Sequence, residues 1–326
     1  MSEAPHPAAV FLPLGLFLAI TGITVIAPGL GAVVSLLTPT PLILIYLQYG
    51  KQVGWLSLGV VIVLLGLLLG PEAAVGFATG YGVLVVLLSE SIRFAVPPGR
   101  AIGLAALVTA LLSGVLIWTA LSEQDQTPVQ YFEKQLQAGA EHYLKTLEET
   151  GASPEEIEFM KGVAEGYTPA MARTFPAILA VGSLLAGVLN YAVTGLLWRR
   201  FYPPVFFQNV DLTRWLLPDP VVWGFIVSAL MLFLTGGALK LIGLNVFIVM
   251  VTLYFFQGLS IALFLLKSKR AHWAITALVL VLVFTQPMFM GLVIGLGLFD
   301  VWADFRKIRP KEPPPEDDDE GDEDSI

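Results

Sequence analysis

Cysteine is absent from all 326 residues, so no disulfide, thiolate metal site or thiol nucleophile is open to this chain. Histidine is scarce. His6, His142 and His272 lie in separate regions, and none forms the H-E-x-x-H or i, i+4 pairing that holds a metal. No G-x-x-x-x-G-K-S/T loop occurs, which excludes nucleotide hydrolysis by that route. Charge is scarce too: 13% of residues are Asp, Glu, Lys or Arg, about half the share of a water-soluble globule. The residues therefore read as a non-enzymatic protein with no cofactor and no metal.

The formal charge of −8 is local rather than general. Lys311 to Ile326 holds nine acids against one base, which leaves 17 of each in the rest of the chain. A neutral body carries no basic footprint, so nucleic acid is excluded as a partner class. The opening MSEAPHPAAV lacks the positive flank and small-residue cleavage site of a signal peptide, so the first apolar block is expected to remain as a helix.

What is present in quantity is apolar surface: 56% of residues are hydrophobic and the mean hydropathy is +0.77. The apolar residues come in blocks near the length of a bilayer crossing. Spans are expected at Ala9 to Ala27, Leu30 to Leu47, Val53 to Leu69, Ala73 to Ile92 and Ala101 to Leu121, and again at Ala170 to Leu197, Val221 to Leu239 and Leu244 to Leu266. Breakers such as Pro28-Gly29, Gly50, Gly70-Pro71 and Pro97-Pro98-Gly99 separate the first five. The stretch from Trp273 to Phe305 is too long for one crossing, and Gln286-Pro287 near its middle predicts two short helices with a tight turn.

Positive residues are retained on the cytoplasmic side in short loops. Starting inside, Lys51, Arg93 with Arg100, Arg199 with Arg200 and Arg214, and Lys267 with Lys269 and Arg270 all fall in cytoplasmic loops. Two helices after Trp273 also keep Arg306, Lys307 and Arg309 inside. The expected fold is an all-α polytopic transmembrane helix bundle of about ten short spans in a bacterial inner (cytoplasmic) membrane, both termini cytoplasmic. Its parts are five N-terminal spans (1–121), an acidic extracytoplasmic hairpin (122–169), about five C-terminal spans (170–309) and a disordered acidic tail (310–326).

The hairpin is written as two amphipathic helices with ten acids and three bases between Ser122 and Pro169. Thr127-Pro128 opens the first, with Val129, Phe132, Leu136, Ala140, Tyr143, Leu144 and Leu147 on one face and Gly151 at its end. Ser153-Pro154-Glu155-Glu156 opens the second as a capping box, with Ile157, Met160 and Val163 or Ala164 on its apolar side. Its negative charge argues against adhesion to anionic lipid.

Three stretches, TRWLLPDPVVW (Thr213 to Trp223), GLNVFIVMVTLYFFQGLSIALFLLK (Gly243 to Lys267) and GLGLFDVWADFRK (Gly295 to Lys307), resemble the YybS-like family of uncharacterised bacterial multi-pass membrane proteins. PTPLILIYLQYGKQVGWLSL, from Pro39 to Leu58, resembles the second and third helices of that family, and these in turn are similar to the substrate-binding S components of energy-coupling-factor vitamin transporters. The resemblance implies a membrane helix bundle and small-molecule binding, and it assigns no catalytic residue.

Polar side chains inside apolar spans mark either helix-to-helix hydrogen bonds or a substrate cavity. The cavity candidates are Asn190 and Tyr191 in the sixth span, and Asn245, Tyr254 and Gln257 in the eighth. Ionisable residues gather at the inner rim: Glu90 and Arg93 three apart, and Asp300 and Asp304 four apart on one face, flanking Arg306 and Lys307. Rim carboxylates beside bases form ion pairs or pass a proton. Gly15 with Ala19, Gly76 with Gly80 and Gly291 with Gly295 are spaced for close helix approach.

Two functions fit these features. One is a transporter-like subunit that binds a small molecule or a lipid and draws energy from a partner ATPase. The other is a scaffold of the cell envelope that recruits protein partners through the acidic hairpin and tail. The bilayer is a partner in both.

Overall fold

A computed structural model describes residues 7–123, 125–207 and 211–308. The acidic tail, 310–326, and Arg309 lie outside the described residues. Every regular element among the described residues is helical.

The first seven helices are α1 (Pro7–Ile26), α2 (Pro28–Val34), α3 (Pro39–Tyr49), α4 (Lys51–Leu69), α5 (Pro71–Phe77), α6 (Val83–Arg93) and α7 (Pro98–Ser122). There follow α8 (Pro128–Glu149), α9 (Pro154–Arg173), α10 (Phe175–Phe201), α11 (Val221–Leu234), α12 (Gly237–Ser268), α13 (Trp273–Thr285) and α14 (Pro287–Ala303). Proline opens α2, α3, α5, α7, α8, α9 and α14, where its missing N–H is not needed and its φ suits the first turn.

The same prolines cut apolar blocks into pieces. The block from Leu30 to Leu47, expected as one span, is instead α2, a 3-10 turn at Ser35–Leu37, and α3. Five helices, α4, α5 with α6, α7, α10 and α12, are long and apolar enough to cross a membrane, and the α13–α14 pair counts as a sixth if taken as one span. Helix length thus gives five or six crossings where ten were expected, because α1, α11 and the pieces around Pro39 are short or interrupted. The turn at Gln286-Pro287 is present, and α13 and α14 are bent by 102° there.

The apolar surface is turned outward on a scale that water does not tolerate. On α4 only Gly54 and Leu58 are buried, while Leu56, Leu67 and Leu68 are about two-thirds or more exposed, at 68%, 78% and 77%. Such a helix is covered by lipid tails, and the membrane assignment rests on this exposure as much as on hydropathy.

The chain divides into two compact units, Met1–Leu253 and Tyr254–Ile326, with the division inside α12. The core of the first is built by α3, α6, α7 and α10, whose Ile43, Leu44, Leu84, Val85, Leu88, Ala101 and Ala105 are fully enclosed. α7 and α10 pack on each other, and the α8–α9 hairpin joins the Ser122 end of α7 to the Phe175 end of α10.

Both capping boxes of the hairpin form. Thr127 accepts from Gln130 N, and Ser153 from Glu156 N, with each N3 side chain bonding back. Gly151 takes φ +82° in the turn. The second hairpin helix does not stop at Pro169. It continues to Arg173, so Ala170 to Arg173, expected in the following span, belong to α9.

In the second unit α12 meets α14 at glycines. A Cβ on Gly258 would strike the Val293 carbonyl oxygen, and one on Gly297 would strike the Tyr254 carbonyl oxygen. The glycines expected to serve close approach behave differently: Gly15, Gly76, Gly80, Gly291 and Gly295 have no neighbour within 4 Å of where a Cβ would lie.

Candidate functional site

The five polar residues singled out within apolar spans hydrogen-bond or pack against protein. Asn190, fully buried on α10, accepts from Thr40 Oγ1 at 2.7 Å and donates to the Leu36 and Ala186 carbonyls, both at 2.7 Å. It thereby fastens the broken α2–α3 segment, whose Leu36 carbonyl lies in the 3-10 turn, to α10. Tyr191 beside it is buried edge-on against Phe207, ring centres 5.4 Å apart.

Asn245 on α12 accepts from Ala177 N at 2.9 Å and donates to the Arg173 carbonyl at 3.1 Å, so one amide holds the joint between α9 and α10. In the second unit, Gln257 Nε2 donates to the Gly297 carbonyl at 3.1 Å and to Asp300 Oδ2 at 3.2 Å. Tyr254, on the same face of α12, is fully buried.

The ionisable residues separate into two clusters of unlike character. Glu90 receives the Tyr46 hydroxyl and lies 3.6 Å from both Lys51 Nζ and Arg93 Nη1, with Lys51 largely exposed. This is a water-boundary cluster, whose pairs contribute little each. Asp300 and Arg306 are different. Their side chains are wholly buried, with Arg306 Nη2 at 2.9 Å from Asp300 Oδ2 and Nη1 donating to Ser260 Oγ at 2.9 Å. Phe305 N donates to Asp300 Oδ1 at 3.0 Å. The carboxylate thus caps the end of α14 and neutralises a buried guanidinium, which offsets the large cost of removing either from water.

Asp304 was expected to share a helical face with Asp300. It does not, because α14 ends at Ala303 and Asp304 takes the left-handed conformation, φ +37°, accepting from Ile308 N at 3.2 Å. Among the described residues, no three His, Asp or Glu side chains gather to hold a metal.

The feature that sequence reasoning missed is an apolar cavity of about 480 Å³ in the first unit. One face of α10 forms a wall through Phe175, Ile178, Leu179, Gly182, Ser183 and Ala186, the i, i+3, i+4, i+7 pattern of a single helical stripe. Ser113 and Ile117 of α7 stand on another side, and Gly80 and Tyr81 on a third. Those two belong to a π-turn, Ala78–Gly82, between α5 and α6, a wider turn that is often found at functional places in helices. Gly80 and Gly182 leave the space open, since neither has a neighbour within 4 Å of a built Cβ.

The hairpin supplies the roof. Phe132 and Leu136 of α8 and Met171 of α9 line the cavity, and the Phe132 ring stacks on Phe175 with centres 3.8 Å apart and planes 16° apart. The walls carry few polar groups: Tyr81, which hydrogen-bonds Ser35, together with Ser183 and Ser113. Ser113 is buried and its hydroxyl has no hydrogen-bond partner among the described residues. None of Asn190, Tyr191, Asn245, Tyr254 and Gln257 lines this cavity.

A cavity of this volume, with apolar walls and a few hydroxyls, has the dimensions and chemistry of a small-molecule site. The comparisons with known proteins place the chain without giving it a ligand. The family described as Predicted membrane protein (DUF2232) matches residues 15–301. The chain belongs to that family. It is 25% identical over 309 residues to "Uncharacterized protein YybS" of Bacillus subtilis (strain 168), across 88% of this chain and 93% of that one. No solved structure matches it. The match spans the helices that enclose the cavity and the hairpin that roofs it, so the site lies within the family's shared length. Neither comparison carries the likeness of Pro39 to Leu58 to transporter S components.

Proposed function

We propose that this membrane protein is a non-enzymatic binding subunit that holds a small apolar or amphipathic molecule in the cavity enclosed by α7, α10, the π-turn and the hairpin. One observation carries the reading: a space of about 480 Å³ kept open by glycines and walled by apolar side chains, with a buried Ser113 hydroxyl that has no partner among the described residues. Apolar concavities of this size with a few placed hydroxyls are where proteins hold small molecules. Burial of a ligand's apolar surface supplies affinity, and a hydroxyl or carbonyl on the ligand supplies Ser113 with its missing partner.

In this reading the protein sits in the bacterial inner membrane with both termini cytoplasmic: Lys51, Arg93, Arg199 and Arg200 then lie on the cytoplasmic side, and Lys267 joins them with the short α11 as a further crossing. The hairpin and the cavity face the opposite side. Movement of the ligand across the membrane would draw on a separate ATP-using chain.

The test is thermal unfolding of the purified protein against a panel of lipids and small apolar compounds, with native mass spectrometry of whatever co-purifies. A retained ligand that raises the Tm supports the proposal. Gly182→Leu, which fills the space, should abolish that rise while the variant stays folded. A rise of equal size in the variant rejects the cavity as the site.

A second reading, a scaffold for envelope proteins, is favoured by the exposed acids Glu155, Glu158 and Glu165 on α9. Replacing these three by Gln would break such complexes and leave ligand stabilisation intact.

A further inference from the structure

Met171 belongs to two surfaces at once. It lines the cavity and is 45% exposed, and it is also the last of four α9 residues spaced by four: Phe159, Val163, Tyr167 and Met171. Positions four apart lie nearly above one another on a helix, so these four form one flank. Phe159 and Tyr167 are 69% and 65% exposed.

The flank is not the one used to pack against α8. Ile157, Met160 and Ala164 are half-buried and Thr168 is buried, and they define the packing face. Glu158, Lys161 and Glu165 are exposed on the far side from the aromatic residues. α9 thus has three faces: one against α8, one charged, and one apolar on which Phe159, Tyr167 and Met171 are exposed and Val163 is half-buried.

A bilayer boundary covers such a flank. α9 leads into the membrane span α10 with only Thr174 between them, and Asn245 fixes that joint through Arg173 and Ala177. The apolar flank therefore begins where the chain enters lipid. Phe and Tyr rings suit that zone, because the ring is apolar and the Tyr hydroxyl reaches headgroups.

We propose that α9 lies seated in the lipid interface through Phe159, Val163, Tyr167 and Met171. Its occupant is the headgroup–acyl boundary of zwitterionic lipid, since the ten acids and three bases of the hairpin repel anionic headgroups. A consequence, which rests on the binding role proposed above, is that the side of the cavity bordered by Met171 and the half-exposed Ile178 opens to the bilayer. The ligand class is then a membrane amphiphile that arrives sideways out of the lipid.

The absence of cysteine makes the test direct. Phe159→Cys, Tyr167→Cys, Glu158→Cys and Glu165→Cys are each spin-labelled in the full chain, in phosphatidylcholine nanodiscs. Collisions with oxygen and with a water-soluble nickel chelate are then measured. Labels at 159 and 167 should favour oxygen severalfold, and those at 158 and 165 should favour nickel. Ala170→Cys, on the apolar flank with both aromatic rings kept, should behave like 159 if the seat is real. Equal access of nickel to all five positions overturns the proposal, and so does dipolar broadening at 159 and 167, which would mean that a second copy covers the flank. These measurements need no ligand, so failure of the Tm test leaves them standing, and their failure leaves the cavity reading intact.

Discussion

The Thr40 hydroxyl donates to Asn190 Oδ1 at 2.7 Å, and both side chains are fully buried. The same amide donates to the Leu36 carbonyl, left over where the helix is broken before Pro39. A helix interruption inside lipid must have its backbone groups met by protein, and Asn190 meets this one. Leu36 also lines the cavity, so the amide holds part of the wall in place.

Asn190→Leu should cost about 1–3 kcal/mol, because it leaves a buried hydroxyl and a buried carbonyl without partners. Thermal unfolding in detergent reads this as a lowered Tm. Thr40→Val alone should cost less, since it leaves the bond to Leu36 in place.

The Asp300–Arg306 pair gives an asymmetric result. Arg306→Met strands a carboxylate, and Asp300→Leu strands a guanidinium, each in a fully buried place. Either should cost about 3–5 kcal/mol, whereas the double variant, with both charges gone, should recover most of the loss. Tm values of the four proteins close the cycle.

Gly258→Ala should separate α12 from α14, because the added carbon meets the Val293 carbonyl. Gly291→Ala, which adds the same atom where nothing lies within 4 Å, should leave the stability within about 0.5 kcal/mol of the parent. If both were equally tolerated, the close helix crossing would be refuted.

Sidedness is open to single-cysteine labelling on the cysteine-free background. An impermeant maleimide applied to intact cells should modify Lys145→Cys on the hairpin and spare Arg199→Cys until the membrane is opened. The reverse pattern would invert the proposed orientation.

Local features were readable in the sequence where a few neighbouring residues decide the outcome. Thr127 with Gln130, and Ser153 with Glu156, form their capping boxes because every participant lies within one turn. Gln286-Pro287 breaks the last apolar stretch for the same reason. Asp304 was misplaced because helix periodicity was carried one residue past the true end of α14. The cavity was out of reach, since Tyr81, Ser113, Phe132 and Ile178 come together only in the folded chain. Its clearest mark in the sequence is a lack, the missing side chains of Gly80 and Gly182. The Gly80 spacing was open to reading as a packing motif, and only the neighbours show that it borders space.

The 102° bend between α13 and α14 governs where the chain's far end emerges. Their 13 and 17 residues measure about 20 and 26 Å at 1.5 Å per residue, each short of the roughly 30 Å hydrocarbon layer. Turned past a right angle, the second arm does not extend the first, an arrangement that fits a return to the same face better than a passage. Lys267 and Lys269 at the start, and Arg306 and Lys307 at the finish, would then share one compartment. Reporter fusions placed after Arg270 and after Ile308 should give the same signal, and any topology scheme that alternates sides at every apolar stretch should be read with this return in mind.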